Sequence, residues 1–507
     1  FCLSLSLSLS VSLGLSLGLC RTPYGRYLLL SRSSSENTCV MSDSASSSGL
    51  GAGLRGVGAV VVEVGSTWTK AGWGGDDSPS CLTPSLLTRV PSTSTSGVAA
   101  SSATSLSSPV LSSSSSSSSA VSSSKSPSSS AASSSSKASS TSNSYTNYVG
   151  EDALSLRRDE AEVVRVLRDE GDVGDWGALE LLLEHIFTRR LAADPRHHPL
   201  LFVEPSHLTD LSPRLHLFEL LFETFQIPAL FLSNDAVLSC FSNSRTTALI
   251  VDCGGEHCSV TPVYEGYALK RRTVRSSLAG AKLADEFTHR LSLRDITIHP
   301  RYSIRRTHLP DGTIHVSSLH YPLTHPSYER LMIHNVAADA IASVCHVSAT
   351  PFDEVANANI PTVPYELPDG KTIEIGVDRF DVTECLFRPE KLKDQSNLHG
   401  VPLVGVHKMV QEAIAGCDPN TRRDLWNNII CVGGTSLLSG FTQRLQTELT
   451  DIAPNKFKVL APTNNSERRF SSWIGGSILA SLSSFHHLWI SKSEYADHGK
   501  DLIRKCP

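Results

Sequence analysis

Residues 59–77 read AVVVEVGSTWTKAGWGGDD, and the fold turns on this stretch. An apolar run, Ala59 to Val62, leads into Glu63. Gly65, two hydroxyl residues and Lys70 follow, just before Ala71-Gly72. The pattern predicts a strand, a tight turn and a returning strand. Such a turn can wrap its backbone N–H groups around phosphate oxygens, with a lysine to balance the charge. The same order recurs at Leu249-Ile-Val-Asp-Cys-Gly254. A third glycine turn, Val432-Gly433-Gly434-Thr435, follows the apolar run Ile429-Ile430-Cys431. Glycine lacks a Cβ, so that turn can approach a base or ribose closely. Any one such turn is usually only a turn. Three in this order predict a duplicated, cleft-type nucleotide fold, in which Glu63 and Asp252 hold a hydrated divalent ion.

The chain has 507 residues, 54.6 kDa and a formal net charge of -5. That length implies two to four domains or one large bilobed unit. A composition of 40% hydrophobic and 19% charged residues permits a sizeable core. The near-neutral balance argues against nonspecific nucleic-acid binding. The 12 cysteines are scattered. Cys253 and Cys258 are close, but no second pair gives zinc spacing, so reduced thiols in an intracellular protein are expected. The opening FCLSLSLSLSVSLGLSLGLC lacks a basic n-region and is interrupted by serines. It reads as an over-extended frame, with residues 1–40 untranslated and the start at Met41. Residues 1–56 are expected to be a disordered leader. No stretch is long and apolar enough to span a bilayer, so a soluble protein without membrane contact is expected.

Residues 92–148 form a serine-rich tract with few apolar residues and no period. Such a tract buries too little surface to offset ordering entropy and is expected to be disordered. It interrupts a single domain, 57–507. Leu179, Leu182, Leu183 and Ile186 share a face of a predicted helix opened by Asp175. Ser212 is the expected N-cap of a second helix, with Pro213 in its first turn. Strands are predicted at 229–233, 247–252 and 258–264. Alternating strands and helices make the fold class α/β.

ERRFSSWIGGSILASLSSFHHLWISKSEYADHG (467–499) resembles an actin signature, as do RTTALIVDCGG, PVYEGYAL and ICVGGTSLLSGF. From Ala59 to Pro507, the serine tract apart, the chain resembles the actin superfamily. That implies an actin-like duplicated ATPase fold of two lobes, or four subdomains, around a nucleotide cleft. IPTVPYELPDG (360–370), IGVDRFDVTECLF and NNSERRFSSWIGGSILASL resemble the nuclear actin-related protein four family, also called actin-like protein six. This second resemblance implies a subunit of nuclear chromatin-remodelling complexes of the SWI/SNF type and of histone acetyltransferase complexes. There it would pair with actin or another actin-related protein on a long helix of the ATPase or scaffold subunit.

The resemblance also assigns site residues. Gly65, Ser66, Thr67 and Lys70 stand in the first phosphate turn, and Asp252 and Gly254 in the second. Gly280, Gly433, Gly434, Thr435 and Arg469 complete a nucleotide site. Glu63 replaces an aspartate that, with Asp252, holds the metal through water. The position of actin's next acid is Gly255. The water-positioning glutamine is Asp235 and the water-relay histidine is Ser259, with His257 nearby on the same expected strand. Three polar contacts to base and ribose fall at Ala338, Ile341 and Ala342. ATP or ADP with Mg as a structural ligand, and no catalytic residue, is the expectation.

Phe241, Tyr267, Leu479, Leu482 and Leu488 match actin's apolar target-binding groove. Leu479 and Leu482, three apart on the final long helix, are expected to share a face. His486 and His487 would tune partner choice. The serine tract occupies the loop that filaments need, so self-polymerisation is not expected. Residues 298–334 are His- and Arg-rich without metal spacing and read as a solvated loop. Arg301, Arg305 and Arg306 suggest a lesser reading as a contact to histones or nucleosomal DNA. The rival functions are an active ATPase of the sugar-kinase and chaperone class and a cytoskeletal actin-related protein of the dynactin or filament-nucleating type.

Overall fold

The computed structural model describes residues 16–21, 27–32, 58–92 and 145–506, apart from 169–170, 209, 311–313, 354, 356, 395–402 and 454–455. The bulk of the serine tract, 93–144, and the Met41 start lie outside the described residues. Within the leader, Ser16–Arg21 and Tyr27–Arg32 pair antiparallel. The strict alternation of Leu with small residues has the period of a strand. The tract's last residues also differ from expectation. Tyr145–Val149 is a strand paired antiparallel with Leu86–Pro91.

Two sheets carry the predicted echo. In the first, Val60–Val64 runs antiparallel to Trp68–Trp73 and parallel to Leu200–Glu204, which is parallel to Ala229–Asn234. In the second, Ala248–Cys253 runs antiparallel to Cys258–Tyr264 and parallel to Ile429–Val432. Each sheet is thus a hairpin followed by parallel crossover strands, the order that buries both faces under helices. Val60, Val61 and Val62 are fully buried in one core; Leu249, Val251 and Ile429 are fully buried in the other. A small seam of Ala236, Val237, Cys240, Ile250 and Ile430 joins them.

The seam lies beside two connecting helices, Asp235–Ser242 and Ser471–Ser481. A Cβ on Gly475 would stand 2.0 Å from the Leu238 carbonyl oxygen, so these helices cross backbone to backbone. Gly476 sits against Val61 and Leu201, and Trp473 Nε1 donates to the Val61 carbonyl at 3.1 Å. At the opposite end of the cleft, residues 154–165 reach across to 321–328. Glu160 N–H donates to Leu323 O at 2.7 Å, Val163 N–H to Ser327 Oγ at 2.9 Å, and Tyr328 OH to Leu154 O at 3.1 Å.

The Asp175 cap forms as predicted, accepting from Ala178 N–H at 2.9 Å. The second helix starts earlier than expected. It spans Leu211–Glu219 with Asp210, not Ser212, as N-cap. Asp210 accepts from Ser212 N–H, which leaves Pro213 where a missing N–H costs nothing. Residues 298–334 are not a solvated loop. They form a hairpin, Ile304–His308 with Ile314–Ser318, and begin the helix Pro326–Val344. The helix Ser471–Ser481 ends before Leu482, whose backbone is extended. Leu479 and Leu482 therefore do not share a helical face.

Gly475→Ala places a methyl group against backbone that no rotamer change can move. Melting of the purified variant, followed by circular dichroism, is expected to show a loss of about 1–3 kcal/mol despite alanine's better helix propensity. Gly434→Ala is the control, since no atom lies within 4 Å of its added Cβ. Equal melting temperatures for the Gly475→Ala variant and the unmutated chain would refute the backbone crossing.

Candidate functional site

The three glycine turns converge at the inner end of the cleft. In the first, Gly65 N–H donates to Trp68 O at 3.2 Å, and a Cβ on Gly65 would meet that oxygen at 2.8 Å. The hairpin register places Glu63 opposite Lys70. Lys70 Nζ donates to Glu63 Oε1 at 2.5 Å, and Ser472 Oγ donates to Glu63 Oε2 at 2.7 Å. The added methylene of glutamate carries its carboxylate to the lysine, so the phosphate-turn lysine is already paired.

In the second turn, Gly254 N–H donates to His257 O at 2.8 Å, and the Gly254 carbonyl accepts from Thr435 Oγ1 at 2.6 Å. A Cβ on Gly255 would lie 2.1 Å from Thr67 Oγ1. The missing acid at 255 is therefore a packing matter, since Thr67 of the opposite turn fills that space. A Cβ on Gly280 would meet Thr435 Oγ1 at 2.8 Å. Gly433 has φ +90° and its Cα packs against Asp252 Oδ1, which an added Cβ would approach to 2.3 Å. Thr67, Asp252, Gly254, Gly280, Gly433 and Thr435 are thus brought together. Ser66, on the rim of the first turn, is half-buried, and Thr67 beside it keeps an exposed edge.

The charges are concentrated. Burial first, then the charges of Asp252 and Glu63, push the Asp235 carboxyl up to about 7 against the pull of its hydrogen bonds to Ser206 and Ala236. Burial raises Asp252 to about 6, with Lys70 opposing. Asp235 is held by the Ser206 hydroxyl and by Ala236 N–H at 2.6 Å. His257 precedes the strand rather than lying on it. Burial, and then the charges of Arg275, His207 and Arg165, hold it down to about 3. It is neutral at physiological pH, and its buried Nε2 has no partner among the described residues. Its neighbour Glu256 pairs with Arg165 across the cleft. Ser259 is on the strand, opposite Asp252 in the register.

The residues fit a polyphosphate only when it arrives with a divalent cation. Three carboxylates, Glu63, Asp235 and Asp252, surround one paired lysine, and a bare polyanion would add to the repulsion. Among the described residues no three His, Cys, Asp or Glu side chains group as direct ligands. A cation here would be held through water by Glu63 and Asp252. On the base side, Ala338 and Ala342 are exposed and Ile341 is buried in the second core. Asp339 accepts from Tyr365 OH at 2.9 Å and pairs with Arg301 at 3.2 Å. Arg469 lies over the Phe470 ring at 5.4 Å. Its neighbour Arg468, not singled out by sequence, ties the third turn. Arg468 O accepts from Gly433 N–H at 3.0 Å, and Arg468 Nε donates to Ser436 Oγ at 2.9 Å.

At the groove, Tyr267 is 39% exposed, and Phe241, Leu482 and Leu488 are half-buried against the first core. Leu479 is buried and forms floor rather than lining. Arg301 and Arg306 are engaged within the chain, Arg306 with Glu366 at 2.7 Å. Arg305 is exposed. Sequence reasoning missed Ser206, Ser472 and Arg165. Ser472 lies 409 residues from the carboxylate it serves, and nothing local marks it.

A sequence profile of the family described as Actin matches residues 54–507. "Actin-related protein 4" of Arabidopsis thaliana is 43% identical over 459 residues, covering 89% of this chain and 99% of that protein. "Actin-related protein 4" of Oryza sativa subsp. indica is 38% identical over 458 residues, with the same two coverages, 89% and 99%. "SWI/SNF and RSC complexes subunit arp42" of Schizosaccharomyces pombe is 34% identical over 350 residues, 66% of this chain and 82% of that protein.

The two desolvated aspartates make a pH prediction. In the folded state both hold protons at pH values where an unfolded aspartate has lost them. Stability therefore falls as pH rises from about 4 through the folded values near 6 and 7. Asp235→Asn keeps an acceptor for Ser206 and Ala236. Urea unfolding is expected to show it stabilised by on the order of 1–3 kcal/mol above about pH 7 and nearly unchanged near pH 4. The same difference at both pH values would refute the shifted aspartate.

Proposed function

This chain belongs to the actin family, and on that premise we propose that it is a non-catalytic subunit of a nuclear chromatin-remodelling or histone acetyltransferase complex. The names of the relatives that match nearly end to end support the actin-related protein four assignment. The name of the fission-yeast relative supports membership of a remodelling complex. ATP or ADP with Mg is bound as a structural ligand that favours the closed lobes by mass action. The cation lowers the repulsion among Glu63, Asp235 and Asp252, and the turns at Gly65, Gly254 and Gly433 line the phosphates.

One observation carries the absence of hydrolysis. At the water-positioning place, Asp235 is turned onto Ser206 and the Ala236 N–H. His257, the nearest imidazole, is neutral and held well below the range of a useful general base. On this reading neither Asp235, engaged by Ser206 and Ala236, nor His257 takes a proton from an attacking water.

Partner pairing rests on the apolar groove. Phe241, Tyr267, Leu482 and Leu488 would receive the apolar face of a helix from the large ATPase or scaffold subunit, beside actin or another actin-related protein.

Phosphate release from ATP with Mg by the purified chain is expected to equal that of the buffer blank. Turnover that disappears in Asp235→Asn would overturn the non-catalytic reading. For the groove, the tagged chain is expected to recover actin and a remodelling ATPase or acetyltransferase scaffold from nuclear extract, and Leu488→Asp to lose the large subunit. Recovery of cytoplasmic filament-nucleating or motor-adaptor subunits instead would leave only the fold standing.

A further inference from the structure

A cavity lies beside the start of the helix Asp235–Ser242, and none of the glycine turns lines it. It has a volume of about 950 Å³ and is lined by segments far apart in sequence, including 267–272, 416–418 and 504–505. Its walls are strongly basic. Lys270, Arg271, Arg272, Arg504 and Lys505 line it, against the single acid Asp418. Asp418 is occupied as a helix cap, accepting from Asn420 N–H at 2.8 Å. Lys505 pairs with Glu494 at 2.8 Å. Among the described residues, Arg271, Arg272 and Arg504 make no ion pair, and all three are exposed. Gly416 keeps the wall low beneath Arg272, whose Cδ would lie 3.1 Å from an added Cβ.

The cavity also holds an unmet donor. Asn234, only 2% exposed, is one of its lining residues. Its Oδ1 lies 2.7 Å from Ser206 Oγ and shares the Ala236 N–H, at 3.2 Å, with Asp235. Its Nδ2 is buried and has no acceptor among the described residues. A buried donor left unmet costs about 1–3 kcal/mol, which a ligand acceptor would return. Val237, Tyr267 and Leu269 add apolar wall between the cations.

We propose that this cavity is a docking site for an acidic peptide segment of a partner protein. Carboxylates pair with Arg271, Arg272 and Arg504, a peptide oxygen accepts from Asn234 Nδ2, and interspersed apolar side chains lie on Val237 and Leu269. The charge complementarity favours an acidic chain. The concave shape and the mixture of apolar wall with cations favour a peptide over duplex DNA, whose phosphates need an extended basic track. The site shares Tyr267 with the apolar groove but depends on different chemistry, so it stands whichever complex the chain joins.

The test is fluorescence anisotropy of the full chain with a labelled glutamate- and leucine-rich peptide. The same peptide with glutamine for glutamate, and a short labelled DNA duplex, serve as comparisons. The acidic peptide is expected to bind, more weakly as salt rises, and the glutamine peptide not to. The double charge reversal Arg272→Glu with Arg504→Glu is expected to weaken binding about tenfold or more, with melting temperature unchanged because both side chains are exposed. Arg271→Gln is a milder second variant, expected to weaken binding measurably. Equal binding of the two peptides, or binding unaffected by these variants, overturns the proposal. Tighter binding of the duplex, lost in the same variants, overturns it in favour of nucleic acid.

Discussion

The backbone crossing at Gly475 fixes the rest of the molecule. The helices Asp235–Ser242 and Ser471–Ser481 approach until a Cβ on Gly475 would stand 2.0 Å from Leu238 O. That distance sets how the two sheets face one another. It also delivers side chains. Ser472 reaches the Glu63 carboxylate, Trp473 reaches the Val61 carbonyl, and Asp235 arrives at the end of the cleft on the first turn of the partner helix. A looser crossing would separate groups whose chemistry depends on being desolvated together.

The consequence is a cleft whose charges answer mainly to one another. Lys70 is paired across its own hairpin with Glu63, Asp235 is held by Ser206, and Glu256 is paired with Arg165 on the facing side. Thr67 takes the space that a side chain at 255 would need. Each contact removes conformational freedom from a charged or hydroxyl group of the cleft, while the glycine turns stay close to one another. The same groups thus tie the two sides of the cleft together and hold its charges in pairs.

The mouth is tied as well. Among the described residues four hydrogen bonds join 154–163 to 323–328, among them Arg157 Nη1 to Thr324 Oγ1 at 3.1 Å, each worth on the order of 1 kcal/mol net. Arg157 adds its guanidinium over the Tyr321 ring at 4.2 Å. These contacts come from segments that carry no nucleotide-turn motif. They let the chain hold the two sides of the mouth together through its own groups.

How much was legible in the sequence follows from the range of the interactions. The two strand–acid–glycine turns, the third glycine turn and the Asp175 cap are set by residues a few positions apart, and all formed where the pattern placed them. The cap at Asp210 instead of Ser212, and the end of the helix at Ser481, are local choices among near-equal options that packing settled. Propensity could not find the Ser472–Glu63 bond, the Thr67–Gly255 contact or the Arg165–Glu256 pair, because each joins segments brought together only by the crossing helices. The same holds for the basic cavity. Its run Lys270–Arg272 looks in sequence like a solvated charge cluster. It becomes a site because folding sets it beside Arg504, Lys505 and the unmet amide of Asn234. By itself, the sequence determined the duplicated cleft and its glycine turns, since short-range pattern and the steric needs of glycine suffice. The state of charge in that cleft, and which surfaces remain to be met by partners, were decided only by tertiary structure, because burial and pairing belong to neighbours in space.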